Sequence, residues 1–186
     1  MKNLKFQTRR GGYFESRELV AIGIFAAAAK ISTLVIALAG GGMNPLSLML
    51  KNAAYTTMVV VLLSKVGKSG TLLLFTAVNQ IVSFMILGGS VVLIPTALCA
   101  AVLAELVMIV LGRLRPGAAL FIGVALNDLL SKIFSLGVSL IYTRENLSLM
   151  WVAAIIVGVG YLGSICGLFC GSRLAGELRH AGIIQS

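Results

Sequence analysis

Six apolar runs follow one another along the chain, at 18–39, 46–64, 70–88, 91–112, 118–142 and 150–172. They are separated by short stretches rich in glycine, proline and charge: 40–45, "KVGKS" at 65–69, 88–90, "RLRPG" at 113–117 and "RENLS" at 144–148. A helix of about 20 apolar residues spans the ~30 Å hydrocarbon core of a bilayer. The pattern therefore predicts an all-α integral membrane protein, a bundle of six transmembrane helices. The runs are continuous and not alternating, which argues against a β-barrel. No stretch is left over for a soluble domain, so 1–186 reads as a single membrane domain. It comprises a short basic segment (1–17), the bundle (18–172) and a tail (173–186).

Composition agrees with the pattern: of 186 residues 59% are hydrophobic and 11% charged, with a mean hydropathy of +1.03. Basic residues precede the first run and "ALA" at 37–39 imitates a cleavage site. The run is nevertheless longer than the ~7–15 apolar residues of a secretory signal, and it is expected to persist as a mature helix.

The placement of positive charge sets the orientation. Lys2, Lys5, Arg9, Arg10, Arg17, Lys65, Lys68, Arg113, Arg115, Arg173 and Arg179, 11 of the 15 basic residues, fall on one side of the six runs. By the positive-inside rule both termini are expected in the cytoplasm, and 40–45 faces outward. The net charge of +9 is then a topology signal. Binding of nucleic acid is not expected, because no folded basic surface or recognition motif accompanies the charge.

Few residues carry chemistry. His180, the single histidine, lies in the tail, so the runs hold no histidine base, zinc motif or haem-ligating pair. Cys99, Cys166 and Cys170 fall inside runs and read as small hydrophobes, not as a metal site or disulfide framework. An enzyme is not expected.

Ionisable residues inside runs are more informative, since each costs ~3 kcal/mol or more at the bilayer centre unless it faces protein or water. They are Lys30, Lys51, Glu105, Asp128 and Lys132. Asp128 and Lys132 are four apart, acid before base, and can pair on one helix face. Glu105 is expected to meet Lys30 or a partner subunit. Asn44, Asn52, Asn79, Gln80 and Asn127 add amides at middle or outer depths, and Tyr55, Tyr142 and Trp151 add aromatic walls. These polar groups either line an outward-opening ligand cavity or pair structurally, and Trp and Tyr at such depths also serve as interfacial belts. Two small-residue patterns stand out: Gly23 to Ala27 in the first run, and Gly163, Gly167 and Gly171 in the sixth. Such stripes let helices approach closely, and in the sixth run packing within the protein is expected.

Six spans, a small-xxx-small face in the first helix, the segment "GIFAAAAKISTLVIALAGGGMNP" and the later "LLSKVGKSGTLLL" resemble the substrate-binding S components of energy-coupling factor (ECF) transporters, within them the MptD-like branch. The resemblance implies a protein of the prokaryotic cytoplasmic membrane that captures a vitamin-like or cofactor-like micronutrient, haem included, from outside. It would deliver this cargo after docking on a transmembrane T subunit and two cytoplasmic ATPase subunits. ATP would be used by those partners, because this chain has no phosphate-binding loop, and no cofactor of its own is implied.

The resemblance also places Gly23 and Ala27 on the T-subunit docking face. Gly40, Gly41, Gly42, Met43 and Pro45 would form a lid over a site drawn from Asn44, Lys51, Asn52, Tyr55, Asn79, Gln80, Asn127, Asp128, Lys132 and Trp151. Lys30, Lys51 and Lys132 suggest a carboxylate- or phosphate-bearing cargo. Two other classes stay open: a ligand-free scaffold or assembly subunit, and a small secondary transporter. For the latter Pro95 is a candidate helix break, although no inverted repeat is evident.

Overall fold

The computed structural model describes residues 13–40, 44–88, 91–113, 116–142 and 147–181. Among them are six helices and no strand: α1 (Ser16–Ala39), α2 (Pro45–Val66), α3 (Thr71–Leu87), α4 (Leu93–Gly112), α5 (Pro116–Tyr142) and α6 (Leu147–His180). Five are long and apolar enough to cross a membrane; α3 is the shorter exception. The chain is a multi-pass membrane protein by these criteria.

Local chemistry sets the helix ends. Asn44 caps α2, its Oδ1 accepting from the Leu46 N–H at 3.1 Å, with Pro45 in the first turn where the missing N–H costs nothing. Gly67 closes the same helix at φ 58, in the left-handed region that a Cβ disfavours. At the start of α1, Glu15 and Glu18 form a reciprocal capping box. Glu18 also takes the Lys68 ammonium at 2.6 Å, tying α1 to the α2–α3 connection.

Successive helices run in opposite directions. Gly40 at the end of α1 meets Ser47 at the start of α2, whose hydroxyl donates to the Gly40 carbonyl at 3.0 Å. Gly112 of α4 lies beside Ala119 of α5, and Gly123 lies beside Met108. α2 and α6 are consequently parallel, with Gly163, Gly167 and Gly171 stepping along Met49, Ala53 and Thr57.

Neighbours close a ring in the order α1, α2, α6, α5, α4, α3 and back to α1, while α2 also reaches α3 and α5 across the middle. The core follows from this arrangement. Val59, Val60, Leu62 and Leu63 of α2 pack with Ile22, Ala26 and Ala29 of α1, Leu72 and Phe75 of α3, Ala104 of α4 and Val124 of α5.

The tightest approach joins α2 and α6. A Cβ built on Gly167 would stand 2.5 Å from the Ala53 carbonyl oxygen and 2.9 Å from the Ala53 Cα, and one on Gly171 would stand 2.9 Å from the Val60 Cβ. The glycine spacing in α6 thus serves packing within the protein, as expected. Thr57 adds a hydrogen bond from its hydroxyl to the Gly167 carbonyl at 3.1 Å.

Two features depart from the sequence reading. First, α6 continues to His180, eight residues past the end of the sixth apolar run, because hydropathy falls at Arg173 without any helix breaker. Second, Glu105 neither pairs with Lys30 nor waits for a partner. It is buried against the start of α3, accepting from the Leu72 N–H at 3.2 Å, with the Gly70 and Leu73 N–H groups also directed at its carboxylate. The first N–H groups of a helix have no partner within it and carry a partial positive charge, so a carboxylate there satisfies both.

This contact lets α3 begin below the end of α4. With 17 residues α3 is about 26 Å long, short of a ~30 Å hydrocarbon core. Glu105→Ala is expected to lower stability by about 2 kcal/mol, the range for hydrogen bonds to a charged group. Glu105→Gln, which keeps one acceptor, should lose less. Thermal unfolding in detergent reads both, and an unchanged midpoint for Glu105→Ala would reject the capping role.

Candidate functional site

The polar residues concentrate where α2, α3, α5 and α6 meet, toward the end that carries the 40–44 connection. Asp128 and Lys132 of α5 form an ion pair, and the Lys132 ammonium also donates to the Ser164 hydroxyl of α6 at 3.1 Å. Ser164 in turn donates to the Gly160 carbonyl at 3.3 Å, and Lys132 stands 5.7 Å from the centroid of the Tyr161 ring.

Asn52 of α2 closes the group from the opposite side. Its amide donates to the Leu48 carbonyl at 2.8 Å and packs over Gly160, where a Cβ would lie 3.0 Å from Asn52 Nδ2 and 3.5 Å from Lys132 Cε. A Cβ at position 160 would therefore press on the Asn52 side chain of α2 and approach Lys132 of α5. One turn along α2, the Tyr55 phenol lies within electrostatic reach of Asp128 and beside Thr76, whose hydroxyl is outside hydrogen-bonding geometry. The Tyr55 and Phe75 rings pack at 5.7 Å.

Two clefts open beside this cluster. One of about 330 Å³ lies between α5 and α6, with Lys132, Ser131, Ser135 and Ser139 on one wall and Ala153, Ile156 and Val157 on the other. The second, of about 190 Å³, is bounded by Gln80 and Ser83 of α3, Thr96 and Ala97 of α4, and again Ser131 and Ser135. Among the described residues, buried polar side-chain atoms without a hydrogen bond are Thr56 Oγ1, Thr76 Oγ1, Asn79 Oδ1 and Asn127 Oδ1. Such orphans are few in folded proteins, and they mark an interior more polar than packing requires.

Of the residues singled out from the sequence, Asn52, Tyr55, Asp128 and Lys132 come together in the cluster, and Gln80 lines the smaller cleft. Asn79 and Asn127 are buried on α3 and α5 at 7% and 5% exposure, each with its amide oxygen unpartnered. Lys51 is half-buried beside Asn52. Asn44 is exposed and serves as the helix cap described above. Trp151 stands 73% exposed on α6, as a belt residue would.

Gly40 and Pro45 flank the proposed lid; Gly41, Gly42 and Met43 lie outside the described residues, as does the Tyr142 side chain. Gly23 faces open space, with nothing within 4 Å of a built Cβ, and Ala27 is half-buried one turn on.

Sequence reading missed Thr76, Phe75, Tyr161, Ser164 and the serines of α5. One signal was available for the last: Asn127, Ser131, Ser135 and Ser139 recur at intervals of four and so occupy one helix face. No protein-family model, curated protein or solved structure matches the chain.

Proposed function

We propose that the protein is the substrate-binding subunit of an ECF-type importer, a six-helix bundle with both termini in the cytoplasm that captures a micronutrient from outside the cell membrane. The observation that carries this reading is the α5–α6 cleft of about 330 Å³, whose wall joins an ion-paired lysine to three serines, Ser131 and Ser135 half-buried and Ser139 exposed. Its volume falls within the ~300–1,000 Å³ typical of small-molecule sites, which combine apolar walls with a few placed polar groups.

With the termini cytoplasmic, the cleft and the 40–44 connection share the outer side, where cargo would be met. Gly40 and Pro45 are then the described ends of the lid that the resemblance implies over the site. Gly23, with nothing within 4 Å of a built Cβ, and the half-buried Ala27 one turn on would meet a T subunit. The chain would bind cargo alone and move it only in company with ATP-hydrolysing subunits.

The test is thermal unfolding of the purified, detergent-solubilised chain against vitamins, their precursors, nucleobases and haem. A ligand at a hundred times its Kd should stabilise the fold by ~2.7 kcal/mol. Absence of any stabilising ligand would reject capture and favour a ligand-free scaffold. In a companion experiment, Ala27→Leu should lose co-purification of the T subunit while keeping ligand stabilisation. Retained co-purification would reject the docking assignment.

A further inference from the structure

Ser131 and Ser135 belong to both clefts, so one hydroxylated face of α5 serves the space toward α6 and the space toward α3 and α4. Ser139 extends it by another turn, and the three hydroxyls step along the helix at about 6 Å intervals. The charged side chain reaching the larger cleft is Lys132, and its ammonium is already engaged by Asp128 and by Ser164.

We infer that the cargo of this cleft is an uncharged molecule rich in hydroxyl or amide groups, an inference that rests on the reading of the cleft as the cargo site. An incoming carboxylate or phosphate would reach Lys132 only beside the Asp128 carboxylate. An incoming ammonium would reach Asp128 only beside Lys132. Either would compete with a pair whose side chains are only 15% and 11% exposed, where a displaced charge is less well solvated than at the surface.

Serine hydroxyls both donate and accept, so a row of them matches neutral polar groups of either kind. Of the three lysines that pointed to an anion, only Lys132 lines this cleft. Among the described residues Lys30 stands on α1, which packs on α2 and α3 and not on α5 or α6.

Charge selectivity can be read without knowing the cargo. Ser135→Cys is placed in a background of Cys99→Ala, Cys166→Ala and Cys170→Ala, and labelled in detergent with three methanethiosulfonates. These carry a neutral hydroxyethyl, an anionic sulfonatoethyl or a cationic trimethylammonioethyl group. Each rate is normalised to the reagent's rate with free 2-mercaptoethanol.

The neutral reagent is expected to react at least about tenfold faster than either charged one, the scale of like-charge juxtaposition at a desolvated site. Asp128→Asn should raise the anionic rate selectively. Should that variant fail to fold, the uncharged pair Asp128→Asn with Lys132→Gln must keep the neutral rate of the parent. An anionic rate equal to or above the neutral one in the parent overturns the inference while leaving the importer reading in place, as does no labelling by any reagent. A cargo screen without a stabilising ligand, by contrast, sinks the importer reading whatever the labelling shows.

Discussion

Gly167→Leu is expected to abolish the native pairing of α2 with α6 and lower stability by about 3 kcal/mol, at the upper end for overpacking a closely fitted interior. The reason is backbone against backbone. At Gly167 the first side-chain atom already falls 2.5 Å from the Ala53 oxygen and 2.9 Å from its Cα, and neither can rotate away. Even Gly167→Ala should destabilise, although alanine is the better helix former by ~1 kcal/mol.

The matched controls are Gly158→Ala and Gly176→Ala on the same helix, where a Cβ meets nothing within 4 Å. With no packing cost, they should be neutral or stabilising by up to ~1 kcal/mol. Thermal midpoints in one detergent compare all four. Equal behaviour of Gly167→Ala and Gly158→Ala would mean that α2 and α6 do not pack as described.

The second large effect concerns the ion pair. Removing one partner, as in Lys132→Met, leaves the Asp128 carboxylate unpaired among α2, α5 and α6 and should cost about 3–5 kcal/mol. The pair differs from a solvated surface bridge, worth ~0–1 kcal/mol, because its side chains are only 15% and 11% exposed. The double variant Asp128→Asn with Lys132→Met leaves no buried charge, so it should recover much of that loss. A double-mutant cycle in unfolding free energy measures the coupling. Additive single effects below about 1 kcal/mol each would show the two side chains to be solvated and independent.

How much of this was legible beforehand depends on the range over which each interaction acts. Helix existence followed from hydropathy, since runs such as 93–112 can satisfy their backbone in lipid only by coiling. The limits of α6 did not, because a helix ends at a breaker and not at the first charge. The Asp128–Lys132 pair was readable as a local four-residue spacing. Its joining to Ser164, Asn52 and Tyr55 required knowing that α2, α5 and α6 meet over Gly160.

Glu105 was misjudged for a related reason. A carboxylate in a membrane helix suggests a cationic partner, yet what satisfies it is the start of another helix, which no residue type announces. The serines of α5 were passed over because serine is nearly neutral in hydropathy, although their spacing placed them on one face.

Sequence alone determined that this is a multi-spanning helical membrane chain, the order of its helices and, the end of α6 aside, their limits to within a few residues, and which charges can pair within one helix. These are short-range matters, decided by neighbours within a turn or two. Only the tertiary structure decided that Gly163, Gly167 and Gly171 are spent on α2 while Gly23 faces open space, that Glu105 caps α3, and that the serine face of α5 borders two clefts. Helices that are apolar all round carry no amphipathic stripe to name their neighbours. In lipid, where the outward face is as apolar as the core, lateral placement is settled by close shape fit and a few polar contacts between distant residues.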